Sequence, residues 1–177
     1  MAPRHVVLVG LPGSGKTVVG ALAAQELGAP FADLDVAISA RAGKSVSAIF
    51  EEQGEPAFRA LEAEVGAELL EGPPAILAPG GGFFADRKLR ARTLDVAYAL
   101  YLETSPAEAA HRLQDAGDRP MLKGRERGRV MERRLAELLG EREAAYLEAQ
   151  GRVSTDAKSI EQVAAEVVVL ARTHGGW

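Results

Sequence analysis

Eight residues near the start of the chain, Gly10-Leu11-Pro12-Gly13-Ser14-Gly15-Lys16-Thr17, fit the spacing G-x-x-x-x-G-K-[ST]. That spacing binds phosphate for a physical reason. Glycines let backbone N–H groups converge on an anion, and a following helix adds the positive end of its dipole. Gly13, Ser14, Gly15, Lys16, Thr17 and Val18 are therefore the candidate nucleotide contacts, with Lys16 reaching the β- and γ-phosphates and the Thr17 hydroxyl ligating Mg2+. The context agrees: residues 6–9 form a short apolar run before the loop, and Val19, Leu22, Ala23 and Leu27 share one helical face after it.

Two further clusters could carry the acceptor chemistry. Asp33-Leu34-Asp35 closes a second apolar stretch. If residues 31–35 are a strand, both carboxylates point to one face, one available to the Mg2+ shell and the other to an acceptor hydroxyl. Two aspartates that solvate the strand end and cap the next helix fit the same residues. Gly80-Gly81-Gly82 suggests backbone brought close to a ligand, although a permissive loop reads the same way. Most of the 21 basic residues are arginines, whose planar forks suit carboxylates and phosphates. On the residues alone, Arg59 and Arg142, each among glutamates, could equally be exposed helix-face ion pairs.

The elements that must position these groups alternate in type. Short apolar strands are expected at residues 6–9, 31–35, 76–78, 96–102 and 153–155. Helices are expected from Lys16 to a C-terminal Gly28, over 37–42, 46–53, 56–70 and 106–113, then over 129–150 and 159–172. Ser105-Pro106-Ala107-Glu108 has the spacing of a capping box. Residues 83 and 84 read as loop, residues 115–128 as a mobile surface loop, and Gly175-Gly176-Trp177 as a tail. Such alternation implies a parallel sheet with helices on both faces and ligands beyond the carboxyl ends of the strands.

Composition narrows the remaining classes. The chain has 177 residues, one domain's worth, and a formal charge of −4. With no cysteine and three histidines it has no disulfides, thiolate metal sites or cysteine nucleophile. Its charge balance gives no overall basic footprint for nucleic acid, and no segment reads as a targeting signal or membrane span. The expected setting is the cytoplasm.

Six markers in order resemble shikimate kinase, of the nucleoside-monophosphate-kinase-like P-loop family. They are the phosphate loop, Asp33-x-Asp35, Phe58-Arg59-x-x-Glu62, Gly80-Gly81-Gly82, Arg119-Pro120, and Arg142 with Tyr146 four residues later. The resemblance implies a single α/β domain with a three-layer αβα fold and about five parallel strands. Its parts would be a nucleotide site in residues 5–30, an acceptor region near 33–65, a lid near 115–128 and C-terminal helices over 129–172. It also implies ATP and shikimate as substrates, Mg2+ as cofactor, and a monomer. By similarity, Asp35 binds acceptor hydroxyls and is the candidate base, and Asp33 supports Mg2+. Arg59 and Arg142 grip the shikimate carboxylate, Gly80, Gly81 and Gly82 add backbone contacts, and Arg112 packs on adenine. Arg119 approaches the transferring phosphoryl. Read from the residues themselves, Tyr146 either packs or braces Arg142 rather than reacting.

Three positions depart from the family pattern: Ala78-Pro79 before the glycines, Phe83-Phe84 after them, and Ala144 in place of a common proline. The competing readings are another small-metabolite kinase, such as one for gluconate, and a non-catalytic nucleotide-binding homologue.

Overall fold

Residues 6–9 are apolar without a break because their strand lies in the middle of a sheet covered on both sides. The computed structural model describes residues 2–115 and 124–177. Strand β1 (His5–Val9) sends Val7 and Val9 into one apolar cluster and Val6 and Leu8 into the other. A continuous rather than alternating apolar run serves that arrangement. Around it lie β2 (Phe31–Asp33), β3 (Ile76–Ala78), β4 (Ala97–Glu103) and β5 (Gly151–Ser154). The order is β2-β3-β1-β4-β5, and every neighbouring pair is parallel.

Helices α1 (Lys16–Leu27) and α7 (Ile160–His174) cover one face of the sheet. The other is covered by α2 (Leu34–Ala42), α3 (Val46–Glu71), α4 (Arg87–Val96) and α6 (Gly124–Tyr146), with α5 (Pro106–Asp115) packed on α6. This is the expected three-layer αβα architecture with five parallel strands. The strand order reverses direction at β1, whose neighbours are β3 and β4. A crevice therefore opens beyond the carboxyl ends of β1 and β3, where such sheets bind ligands. Among the described residues, no helix is long and apolar enough to cross a membrane.

Local chemistry explains where the elements begin and end. Helix α1 stops at Gly28, whose left-handed φ of 65° lets its N–H turn back to the carbonyls of Ala24 and Gln25. Helix α3 bends at Gly54 (φ 80°, ψ 173°), two residues before Pro56, so the two expected helices form one kinked element. Helix α7 opens with a complete capping box between Ser159 and Gln162. At α5 only half of the expected box forms: Ser105 accepts the Glu108 N–H, while the Glu108 carboxylate turns to Arg112.

Four expectations are corrected. Strand β2 ends at Asp33 rather than Asp35, because Asp33 Oδ1 accepts the N–H groups of Asp35 and Val36 and starts α2. Phe83 and Phe84, expected in a loop where they would either pack under the site or narrow it, do pack, and their segment is not irregular loop. They form a 3₁₀ turn and are 2% and 1% exposed, and Asp86 then caps the unforeseen α4. Burying each ring is worth about 2 kcal/mol, enough to fix the segment that sequence periodicity left blank. Helix α6 ends at Tyr146 rather than Gln150, since the chain must turn to pair β5 with β4, and Gln150 Oε1 accepts the Ala99 N–H. Trp177 is not a loose tail: its indole N–H donates to Arg4 O at 2.9 Å and its ring packs on the α1/α7 side.

Candidate active site

The loop after β1 is shaped by glycines that nothing else could replace. Gly10 (φ 148°) and Gly13 (φ 83°) have left-handed backbones. A Cβ on Gly10 would lie 2.7 Å from Leu102 O, and one on Gly13 would lie 2.6 Å from Ala109 O. Gly15 is the N-cap of α1 and supplies no side chain, so the first N–H groups of the helix point into the loop unclaimed by a cap. Lys16 bends back over this loop, its Nζ donating to Gly10 O at 2.9 Å and Leu11 O at 2.8 Å. Burial lowers its pKa to about 8, against the pull of Asp35 and Asp33. A desolvated ammonium held beside the uncapped N–H groups of a helix start is a strong phosphate ligand.

Thr17, the next residue, donates its hydroxyl to Asp33 Oδ2 at 2.6 Å. Asp33 therefore does two things at once, capping α2 through Oδ1 and facing Thr17 through Oδ2. Among the described residues no group of three or more His, Cys, Asp or Glu side chains could cage a metal alone. One hydroxyl and one carboxylate do fit Mg2+, a hard cation that keeps several waters and takes its other ligands from phosphates. Asp35 sits in the first turn of α2, not on the strand. It is open to the crevice, yet surrounding protein and the neighbouring Asp33 carboxylate lift its pKa, with Lys16 and Arg59 pulling the other way.

The glycine triplet after β3 joins these groups to the arginines. A Cβ on Gly80 would lie 3.2 Å from Glu62 Oε1 and 3.5 Å from Asp35 Oδ1. One on Gly81 would lie 3.1 Å from Arg142 Nη1 and 3.1 Å from Pro12, and one on Gly82 would lie 2.5 Å from Arg59 Nη1. The triplet is thus the floor of a pocket ringed by Asp35, Glu62, Arg59 and Arg142. Arg59 reaches in from α3, its Nη1 on Glu62 Oε2 at 2.6 Å and its Nη2 on Glu55 at 3.2 Å. The expected helix-face ion pair is therefore present, and it aims the guanidinium at the glycines.

Sequence reasoning placed Glu62 in a motif without giving it work. It is 2% exposed, burial lifts its pKa against the pull of Arg59, and its Oε1 has no hydrogen-bond partner. Its i,i+3 spacing from Arg59 was the available signal.

On the other side of the phosphate loop lies a cleft of about 430 Å3, lined by Gly13, Val18, Arg112, Thr155 and Ile160 among others. The Arg112 guanidinium is spread flat there by Glu108 Oε1 at 2.8 Å, Thr155 Oγ1 at 3.1 Å and Thr155 O at 2.9 Å. A fixed guanidinium face in a largely apolar cleft beside a phosphate site suits a nucleobase. Thr155 was read only as part of a strand. Its place beyond the carboxyl end of β5 was the clue. Arg119 and residues 116–123 of the expected lid lie outside the described residues, while its last positions, 124–128, are helical and open α6 rather than continuing a loop.

Comparison with known proteins gives one result. A shikimate kinase family model matches residues 12–171. The shikimate kinase of Caulobacter vibrioides is 41% identical over 172 residues, covering 97% of this chain and 84% of that protein. The structure of a shikimate kinase from Acinetobacter baumannii in complex with shikimate matches with a TM-score of 0.85 at 30% identity, over 97% of this chain and 94% of that one. A gluconokinase from Sinorhizobium meliloti matches with a TM-score of 0.63 at 20% identity, over 97% and 93% of the two chains, which is a likeness of fold alone. With its phosphate loop, paired aspartates and two arginines over a glycine floor, the chain belongs to the shikimate kinase family.

Proposed function

We propose that the shikimate kinase reaction of this chain, transfer of the γ-phosphoryl of ATP to the 3-hydroxyl of shikimate, takes place in the crevice at β1 and β3. The observation that carries this reading is the set of close approaches around residues 80–82, which brings Arg59, Arg142 and Asp35 to one pocket beside the phosphate loop. ATP lies with its base against Arg112 and its phosphates in the loop, where Lys16 binds the β- and γ-phosphates. Thr17 and Asp33 would hold the Mg2+ that accompanies ATP, and it would offset phosphate charge there. Arg59 and Arg142 fork onto the acceptor carboxylate, which fixes the ring and points its hydroxyls at Asp35.

Asp35 orients the 3-hydroxyl and takes its proton as the new O–P bond forms and the bond from the γ-phosphorus to the β,γ-bridging oxygen breaks. A loose transition state asks little of a base, so orientation is the larger part of that role. Arg119 adds positive charge at the transferring phosphoryl from a lid that excludes water. Every group in this scheme comes from one chain, in keeping with a monomer.

The test is ADP release from MgATP with shikimate, gluconate, quinate or no acceptor. Release that requires shikimate, and is lost in Asp35→Asn and Arg142→Ala, is the expected result. Release with another acceptor would overturn the carboxylate clamp while leaving the phosphate loop intact. ATP binding without turnover on any acceptor would favour a non-catalytic homologue.

A further inference from the structure

Tyr146 is fully buried at the end of α6, a costly place for a phenol unless its hydroxyl is bonded. The hydroxyl donates to Gly81 O at 2.6 Å. The ring stacks on Tyr101 of β4, with centroids 5.2 Å apart and planes 30° from parallel, and Tyr101 is itself buried in the sheet core. Arg142 stands one helical turn earlier, so the two side chains share a face of α6. Gly81 meets both of them: its carbonyl takes the phenol, and a Cβ on it would lie 3.1 Å from Arg142 Nη1. Among the described residues, no other hydrogen bond joins α6 to residues 80–82.

The two arginines of the pocket are held in different ways. Arg59 is fixed by the carboxylates of Glu55 and Glu62, which offset its charge as they aim it. Arg142 has no carboxylate within ion-pair distance among the described residues. Its neighbour is a neutral phenol, which burial keeps protonated against the pull of the guanidinium's charge. An arginine braced by a neutral group keeps its whole charge for an incoming anion.

We propose that Tyr146 is a positioning residue for the acceptor carboxylate, tying the backbone of residues 80–82 and the Arg142 guanidinium into one anion-binding unit without neutralising the arginine. Tyr101 supplies the rigid support: its stack holds the end of α6 against the sheet. The proposal rests on the shikimate kinase reading above and adds the residue that sets the geometry of one half of the clamp.

Tyr146→Phe keeps the ring and its stack and removes only the hydroxyl. Steady-state kinetics with shikimate and with the matching triol that lacks the carboxylate separate positioning from general damage. For Tyr146→Phe the KM for shikimate rises about tenfold, the scale expected for a lost buried hydrogen bond that also frees its partner, and kcat and the KM for ATP hold. The KM for the triol is unchanged, and Arg142→Ala costs less in Tyr146→Phe than in the unaltered chain, because the two residues act as a unit.

An unchanged KM for shikimate, or an equal rise for the triol, overturns the proposal. Should the variant not fold, carbon-13 labelling of tyrosine Cζ in the unaltered chain gives the same answer. The Tyr146 resonance shifts on adding shikimate and not the triol, and no shift with shikimate overturns the proposal. If the unaltered chain does not turn over shikimate at all, the underlying reading fails and the proposal with it. If it does, and Tyr146→Phe is indistinguishable, only the role of Tyr146 fails.

Discussion

Replacing Asp33 by alanine and by asparagine separates two jobs done by one carboxylate. Oδ1 caps α2 by accepting the N–H groups of Asp35 at 2.9 Å and Val36 at 3.2 Å, and Oδ2 accepts the Thr17 hydroxyl at 2.6 Å. Alanine removes the cap, about 1 kcal/mol. It also removes the Thr17 bond, about 1 kcal/mol more. A loss of about 2 kcal/mol lowers Tm by about 4–8 °C in a chain of this size. Asparagine keeps an acceptor for the two backbone donors and offers its amide to the Thr17 oxygen, so its Tm should fall by less than about 2 °C. It removes the negative charge all the same, and the Mg2+ requirement should rise in both variants.

The assay is a thermal melt of the nucleotide-free protein, followed by kcat at saturating ATP and shikimate across a Mg2+ titration. Asp33→Asn melting as low as Asp33→Ala would refute the cap as the source of the stability. Asp33→Ala melting with the unaltered protein would refute the bond ledger altogether. Normal Mg2+ dependence in Asp33→Asn would remove Asp33 from the metal site.

Three shorter predictions follow. Gly82→Ala places a methyl group 2.5 Å from Arg59 Nη1 at an ordinary backbone angle, so the flexible guanidinium yields rather than the fold. Its Tm should be near normal while the KM for shikimate rises, and a normal KM would show that Arg59 does not need its present position. His5 is buried and accepts the Ala75 N–H through Nδ1, and desolvation holds its pKa below the usual 6.5. The unfolded chain therefore binds the proton first: stability is complete above about pH 6.5 and drains as pH falls from there toward the depressed folded value. Urea midpoints between pH 7 and 5 should decline less steeply in His5→Gln, and parallel curves would exclude His5 as the cause. Arg119→Ala should lose kcat far more than ATP affinity, and equal activity would remove Arg119 from the transition state.

What could be read in the sequence was local. The phosphate loop is eight consecutive residues followed by its own helix, so its backbone geometry and its ligand are written in one short stretch. Strand β1 was legible for the same reason, from an unbroken apolar run. Arg59 and Glu62 lie within one helical turn and carried their pairing in their spacing.

What tertiary structure decided was every contact between distant segments. Asp33 and Asp35 look alike in sequence, and only the meeting of β2 with α1 gives one of them to Thr17 and leaves the other to the crevice. Phe83 and Phe84 carry no periodic signal and become core only because β1, α3 and α4 enclose them. Gly81 and Tyr146 are 65 residues apart and share a hydrogen bond because the sheet brings the end of β3 under the end of α6. Side-chain spacing encodes contacts within a turn or a strand. A pocket built from five separate segments exists only once the sheet order has placed them together.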